Sequence, residues 1–450
     1  MQTCRTDMTK FKKLHLLATS EVLRPILTLG AGAVVAQLIP FVMSFVLARL
    51  YTPEDFGELG LFLNYAGILI IIASARYDLA IVRARSDDEA FALSALSLCI
   101  SLAFCCLLWL VAVVSDFLPC NYVSQVPSKY LLPFCVMLSV LFQVLANLHN
   151  YYERYKSIAR MNVVRNIVQA IARLLLSLQQ RVNGLVWGVI AGFAGACLVS
   201  LRVARSVCDL RVSTRRLYCA ARRYANFPKY VLPSSLLNTL STNLPVILFA
   251  LFFDECDVGY FTMTTTLLYL PVSLLGSSIG QVFYKKSAVW ELPKVCDFAW
   301  QVLCFSGILS LVAYVVIMLS GRHLFAFLLG EEWRVIGDYA TILLPWFVLV
   351  LCFSPLSMIF DAKDKQRTEM CLNITAFVGR TVAVLACGHA SFGAEQVVLA
   401  YCLSSVAVWM AEGVIIFRIL GMPRRKSLLF FIILSLALFV WGGCVWSRYV

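Results

Sequence analysis

Thirteen apolar stretches, separated by short polar segments, follow one another along almost the whole of this 450-residue chain. Hydrophobic residues make up 61% of the sequence and charged residues 14%, against about 25% charged in a typical soluble domain. A helix of about 20 apolar residues crosses a bilayer, and within lipid only helices and closed barrels satisfy the backbone. The pattern predicts an all-α polytopic membrane protein and leaves no polar stretch long enough for a soluble catalytic domain.

The boundaries of the predicted membrane spans follow from the apolar runs. They cover residues 24–50, 57–82, 90–114, 130–152, 158–179, 184–206, 229–253, 258–284, 295–319, 338–360, 366–387, 393–417 and 427–446. Three lysines precede the first run, and no short apolar segment with a small-residue cleavage site follows them. We therefore expect a retained first helix and no signal peptide.

The distribution of basic residues predicts the orientation. With the N-terminus inside, 29 of the 38 Lys and Arg residues fall in cytoplasmic segments, six in outer segments and three within the membrane. An excess of Lys and Arg in short loops marks the cytoplasmic side. The N-terminus is thus predicted to be cytoplasmic and the C-terminus to lie outside. The net charge of +13 is explained by topology and gives no evidence for nucleic-acid binding.

The longest interruption, Val207–Pro228, separates the first six spans from the next six. Its apolar residues recur at helical spacing and its arginines point in other directions, which fits a helix lying on the inner leaflet. A solvated basic loop fits equally well. Internal repeats of this kind build many transporters. We expect two repeat-related six-helix lobes (1–206 and 229–420), a cytoplasmic basic linker (207–228) and one extra transmembrane helix in 421–450.

Two intramembrane arginines occupy matching places in the two lobes. A shift of 207 residues superimposes four identical residues, namely Lys156, Arg160, Asn166 and Arg173 on Lys363, Arg367, Asn373 and Arg380. A charged side chain at membrane depth is costly and normally faces a partner or a watery cavity. A duplicated fold with a cationic interior favours a carrier for an anionic substrate.

Polar residues on the fifth and eleventh spans form the candidate binding site. Asn166, Gln169 and Arg173 share one helix face on the fifth span, together with Asn162, and Asn373 and Arg380 share a face on the eleventh. Arg165 is a third intramembrane arginine. The hypothesis places Arg173 and Arg380 in a shared solvated cavity. The alternative is a structural role for these arginines, paired with carbonyls or with a carboxylate such as Glu412.

Three further candidates lie at the predicted inner mouth. Arg76 and Asp78 end the second span and Arg24 opens the first. An arginine there could bind a phosphate or simply anchor the helix at the interface, and Arg76 and Asp78 could also form a local salt bridge. The sequence has no G-x-x-x-x-G-K-[ST] and no metal-ligand cluster, so it predicts neither a P-loop ATPase nor a cofactor.

A set of short motifs carries a family resemblance. They are Ala48–Gly57 (ARLYTPEDFG), Arg76–Ile81 (RYDLAI), Arg223–Pro228 (RYANFP), Leu232–Asn238 (LPSSLLN) and Gly330–Trp333 (GEEW). Asp257–Tyr260 (DVGY) looks like an echo of Asp55–Glu58 (DFGE) in the second lobe. Together, over roughly residues 20–420, they resemble the bacterial oligosaccharide flippases of the O-antigen (Wzx) type. That family belongs to the multidrug/oligosaccharidyl-lipid/polysaccharide exporter (MOP) superfamily.

The resemblance implies a function. Such proteins are not enzymes; they carry undecaprenyl-diphosphate-linked oligosaccharides between leaflets of the bacterial inner membrane by alternating access around a cationic cavity. It implies a lipid-linked oligosaccharide as substrate, membrane lipids as surroundings, and other polysaccharide assembly proteins as partners. Arginine suits a diphosphate because its guanidinium binds two oxygens at once.

Three alternatives stay open. One is a cation-coupled drug exporter of the same superfamily, which would call for an acidic intramembrane site. The second is a membrane-embedded polysaccharide polymerase or glycosyltransferase, and the third is a scaffold without transport. The longest predicted outer loop, about 320–337, is short for a catalytic loop.

Overall fold

The computed structural model describes residues 37–117, 128–178, 183–200, 214–363 and 365–449, and these ranges contain helices and no strand. We number the long helices α1 (Gln37–Leu47), α2 (Pro53–Ala73), α3 (Asp87–Val114), α4 (Leu132–Tyr151), α5 (Tyr155–Leu176), α6 (Gly184–Val199), α7 (Leu232–Phe249), α8 (Glu255–Val289), α9 (Leu292–Leu329), α10 (Ile336–Phe353), α11 (Gln366–His389), α12 (Ala394–Leu420) and α13 (Arg424–Tyr449).

Each predicted span overlaps one of these thirteen helices, so the prediction of an all-α polytopic membrane protein is confirmed. In the described part of the chain, nine helices are long and apolar enough to cross a membrane, and α1 and α6 are shorter apolar helices. The two others, α5 and α8, are more polar along their length. In α5 the cause is a set of four basic residues, Lys156, Arg160, Arg165 and Arg173.

The predicted outer loop at 320–337 is wrong in extent. Helix α9 runs through this region to Leu329, and only a short connection with one 3₁₀ turn, Glu331–Trp333, precedes α10. Apolar residues after Arg322 continue the helix. The Arg322 side chain points away from it, and its Nε donates to Asp338 Oδ1 at 2.6 Å. The segment is therefore a helix end joined by a tight turn.

The chain divides into two compact units. Within the described residues, the first joins 37–42, 72–111 and the described parts of 133–231; the second joins 43–71 and the described parts of 112–132 and 232–449. Helix α2 thus belongs mainly to the second unit, although it precedes the linker in sequence. It does so because it packs closely on α8: a Cβ added to Gly60 would lie 2.5 Å from Thr262 Oγ1.

In the first unit, a short helix at Thr214–Arg223 packs on the turn that follows α2. Tyr77 donates to Ala221 O at 3.2 Å. Arg223 forms an ion pair with Glu89, and Ala220 is buried. The linker is therefore helical over residues 214–223 and is held by protein contacts; residues 207–213 lie outside the described part.

In the second unit, α10 forms the centre of the packing, and nearly every residue of this helix is buried. Its C-terminal Phe353 meets Phe417 of α12 and Phe430 of α13 edge-on, with ring centroids 5.6 and 5.3 Å apart. A ring at Phe353 requires that the neighbouring residue on α12 be Gly413, because a Cβ there would overlap it. This apolar core positions α11 and α12, which carry the candidate site residues of this unit.

Candidate functional site

In the first unit, the polar face of α5 packs on a face of small residues on α6. A Cβ added to Gly188 would overlap Arg173 Cγ, and one added to Gly192 would lie 2.8 Å from Arg165 O. Small residues let membrane helices approach closely. The glycine spacing of α6 thus creates room for the long polar side chains of α5, which turn inward as predicted.

Arg173 is enclosed by this packing, with 9% of its surface exposed. Its Nε donates to Leu185 O on α6 at 3.2 Å. The Gln169 amide, oriented with its oxygen towards Arg173, accepts from Nη1 at 3.1 Å and Nη2 at 3.0 Å. These acceptors are neutral, so they orient the guanidinium without contributing negative charge.

Arg165 occupies an aromatic slot between α4 and α6. Its guanidinium carbon lies 5.3 Å from the ring centroids of both Phe142 and Phe193, a distance at which the ring faces attract a cation. The neighbouring Asn166 is buried. The structure therefore brings Arg165, Asn166, Gln169 and Arg173 to one side of α5. The two phenylalanines carried no sequence signal that marked them.

In the second unit, Arg380 of α11 is 8% exposed. Its Nε donates to Ser405 Oγ of α12 at 2.9 Å, its Nη1 to Ser241 O of α7 at 3.5 Å, and its guanidinium carbon lies 5.6 Å from the Tyr401 ring centroid. Asn373 lies seven residues earlier and is half-buried. The three helices α7, α11 and α12 thus converge on one cation.

Arg380 has no carboxylate partner at ion-pair distance. Throughout the part of the chain that the structure describes, no ion pair within 4.0 Å joins Arg380 to Glu412 or to any other acid. The pairing with Glu412 considered from the sequence is therefore not formed. The hydroxyl of Ser405 and the carbonyl of Ser241 are neutral acceptors, so they orient the guanidinium without adding negative charge.

After α2 a turn leads to Arg76, which precedes the short helix Tyr77–Ala80 that contains Asp78. Ala75 and Arg76 have φ of 44° and 59°, a left-handed conformation that costs free energy for side chains of this size. Asp78 is 0% exposed, and neither of its carboxylate oxygens has a hydrogen-bond partner within the described residues, nor has Arg76 Nε. The two side chains do not form the local salt bridge considered above. Arg24 lies outside the described residues.

Burial has an electrostatic consequence at this turn. Removal from water raises the pKa of the Asp78 carboxyl above its ordinary value, and the nearby Ser74 hydroxyl, Arg76 and backbone N–H groups oppose the shift only in part. Burial away from water favours the neutral form of a carboxyl group. Asp78 is consequently suited to hold a proton in this conformation.

Three of the motif segments, ARLYTPEDFG, DVGY and GEEW, meet at one end of the second unit. Trp333 of the GEEW motif is 1% exposed and donates from Nε1 to Ala48 O at 2.7 Å. Its ring meets Phe56 and Tyr260 edge-on at 5.1 and 6.0 Å. Arg49 Nη2 donates to Phe327 O at 2.7 Å. These motif residues stabilise the packing of α2, α8 and the turn after α9.

Comparison with known proteins identifies the family and the fold of this chain. The family described as "Polysaccharide biosynthesis protein" matches residues 46–338, more than half of the chain. No curated protein sequence matches. The lipid II flippase MurJ, in an inward closed conformation, has a similar structure with a TM-score of 0.71 and 12% identity, covering 94% of this chain and 93% of that one.

Two further solved structures share the fold. An inward-facing multidrug resistance MATE family transporter of the MOP superfamily gives a TM-score of 0.63 at 16% identity, covering 86% of this chain and 94% of that one. A MOP superfamily transporter from Pyrococcus furiosus gives 0.58 at 15%, covering 90% and 98%. The resemblance seen in the sequence motifs is thereby confirmed, and the chain belongs to the polysaccharide biosynthesis protein family, with the fold of MOP superfamily transporters.

Proposed function

We propose that this protein is a flippase that moves undecaprenyl-diphosphate-linked oligosaccharide, such as an O-antigen or other surface polysaccharide unit, across the bacterial inner membrane. Translocation runs from the cytoplasmic to the periplasmic leaflet by alternating access. The main support is Arg380, a buried intramembrane arginine with no carboxylate at ion-pair distance among the described residues. The chain also belongs to the polysaccharide biosynthesis family.

The chemistry of the substrate supports this assignment. A diphosphate carries concentrated negative charge and is matched by the planar, two-pronged guanidinium group. Arg173 and Arg380 supply that charge from repeat-related positions, and Asn166, Gln169 and Asn373 supply amides for glycan hydroxyls. Arg165, Arg76, Asp78 and Arg24 complete the proposed substrate-binding set.

The alternatives fit the observations less well. A drug exporter that binds cations calls for acidic intramembrane groups, whereas the repeat-related charges here are both basic. A polymerase or glycosyltransferase calls for a catalytic loop, whereas the connection between α9 and α10 is a tight turn. The proposed function is therefore that of a carrier without enzymatic activity. The carrier works beside the proteins that assemble and polymerise the glycan.

The test is a translocation assay in proteoliposomes that contain a fluorescent undecaprenyl-diphosphate oligosaccharide. Arg380→Ala should abolish translocation while membrane insertion is retained, and Arg380→Lys should restore it only in part because lysine lacks the fork. Arg173→Ala should act in the same direction.

The matched controls are Arg160→Ala on α5 and Arg367→Ala on α11, which remove an exposed arginine from the same two helices. Both should translocate at the wild-type rate. Full activity of Arg380→Ala, or an equal loss in the controls, would contradict the proposal. A glycan that is lengthened or cleaved during the assay would point to the enzyme alternative.

A further inference from the structure

A long apolar cavity lies within the second unit, between α9, α10 and α13. Its volume is about 300 Å³, and its walls include Trp300, Gly307, Tyr314, Val348, Phe430 and Ala437. A space of this size between transmembrane helices leaves room for an apolar occupant.

The cavity is bounded by contacts that hold α13 at both of its ends. Towards the C-terminal end, Tyr314 donates to Ala437 O and Trp441 Nε1 donates to Thr341 O, both at 2.8 Å. At the N-terminal end, Lys426 pairs with Asp297 at 3.0 Å. Between these contacts, a Cβ added to Gly307 would meet nothing within 4 Å. The gap is therefore a defined feature of the helix packing.

The cavity opens outward over its length. Four residues that line it are between 50% and 67% exposed, namely Ile308, Leu311, Leu429 and Ile433. From Trp300 to Tyr314 it extends about 21 Å along α9 at 1.5 Å per residue. One leaflet of a bilayer contributes about half of the roughly 30 Å hydrocarbon thickness. One acyl chain entering from the basic end therefore fits the length.

Positive charge is concentrated at the end of the cavity that lies near the start of α13. Lys426 Nζ lies 5.7 Å from the centroid of the Trp300 ring. Lys426 also precedes Phe430 and Ile433 on one face of α13, at i, i+4 and i+7. The adjacent Arg424 and Arg425 are exposed. Asp297 offsets one of these three charges, so the mouth remains positive. Basic pockets between transmembrane helices on the cytoplasmic side, where α13 is predicted to begin, bind anionic headgroups.

We propose that this cavity is a binding site for an anionic phospholipid. One acyl chain lies in the apolar groove between α9 and α13, and the phosphate lies beside Arg425 and Lys426. The lipid fills the seam that attaches the extra helix to the second unit. This site is separate from the candidate substrate residues and does not rest on the proposed function.

The experiment compares phosphatidylglycerol with phosphatidylcholine of identical chains. The purified full-length protein is exposed to each lipid in detergent, bound lipid is counted by native mass spectrometry, and the unfolding temperature is measured. Phosphatidylglycerol should stay bound and raise the unfolding temperature, and phosphatidylcholine should do neither. Gly307→Trp should remove the bound lipid and the shift, because Gly307 lines the groove and a side chain there starts in open space and would occupy it. Gly442→Trp is the matched control, since a Cβ there also meets open space.

A second variant keeps the inference testable if Gly307→Trp does not fold. Arg425→Gln combined with Lys426→Gln should weaken phosphatidylglycerol binding about fivefold for each charge removed. The inference is overturned if both lipids bind equally, or if Gly307→Trp retains phosphatidylglycerol. Preferential retention of undecaprenyl phosphate over phosphatidylglycerol would also overturn it, since the groove would then serve the substrate chain.

Discussion

Gly57 and Gly259 face each other across the α2–α8 contact, and each leaves room for the backbone of the other's helix. A Cβ on Gly57 would overlap Glu255 O, and a Cβ on Gly259 would overlap Pro53 O. The two glycines belong to the DFGE and DVGY motifs, so the proposed sequence echo corresponds to a reciprocal contact. Two equivalent helix starts meeting in this way are expected of a fold with an internal repeat.

Valine at Gly57 or at Gly259 should destabilise the protein, because backbone atoms must move apart to admit the side chain. The cost should exceed the roughly 1–3 kcal/mol of ordinary overpacking. Thermal unfolding in detergent measures it. The double variant should cost less than the sum, since both changes open the same contact. Gly379→Ala is the control, because the nearest atom to its Cβ would be Ser404 Cβ at 3.8 Å; equal destabilisation by all three would contradict the interpretation.

Trp333→Phe should lower stability by about 1–2 kcal/mol, because it leaves the buried carbonyl of Ala48 without its donor while most of the packing is kept. Denaturant or thermal unfolding measures the change. Trp187→Phe removes an indole that is 41% exposed and should be nearly neutral. If the two variants behave alike, the hydrogen bond to Ala48 contributes little.

Asp78→Asn should stabilise the protein at neutral pH. Burial raises the pKa of this carboxyl above its ordinary value of 3.8, so the folded state favours the protonated form. That contribution is complete at low pH and is lost as the pH rises from about 4 through the raised pKa. The variant should therefore exceed wild type by about 1–3 kcal/mol at pH 7 and match it near pH 4.

Unfolding temperatures measured across this range test the Asp78 prediction. Asp361→Asn, which changes an exposed acid, should show no such trend. A stability difference for Asp78→Asn that stays constant from pH 4 to pH 7 would mean that titration of this carboxyl is not coupled to folding.

The orientation predicted from the basic residues is tested by fusion. Alkaline phosphatase, which is active only outside the cytoplasm, should be active after Val450 and inactive when inserted within Arg215–Arg223. Activity at the linker would reverse the orientation of every span. Inactivity after Val450 alone would mean that α13 does not cross the membrane.

Much of the architecture follows from the sequence. A single apolar segment that spans lipid can satisfy its backbone only as a helix, so each predicted span overlaps a helix. The ends agree less well, since α9 continues to Leu329 whereas its predicted span ends at residue 319. Periodicity also predicted that Asn166, Gln169 and Arg173 share an inward face, because polar groups on a lipid-exposed face are too costly. The shared face of Asn373 and Arg380 followed from the same argument, and Arg165 was marked by its position within an apolar run.

The side-chain environments required the tertiary structure. Nothing in the order of residues indicated that Arg380 meets Ser405 and the Ser241 carbonyl rather than Glu412, since three helices distant in sequence converge there. The sequence also did not indicate that Asp78 is buried or that the 214–223 helix packs on the turn after α2.

The assignment of α2 to a unit also required the tertiary structure. Sequence order places it before the linker, but contact places it in the second unit. The hydropathy and charge of a segment determine whether that segment lies in lipid or in water, and both are properties of the segment alone. Which helices touch depends on shape, and at Gly57 and Gly259 two missing side chains let two backbones meet.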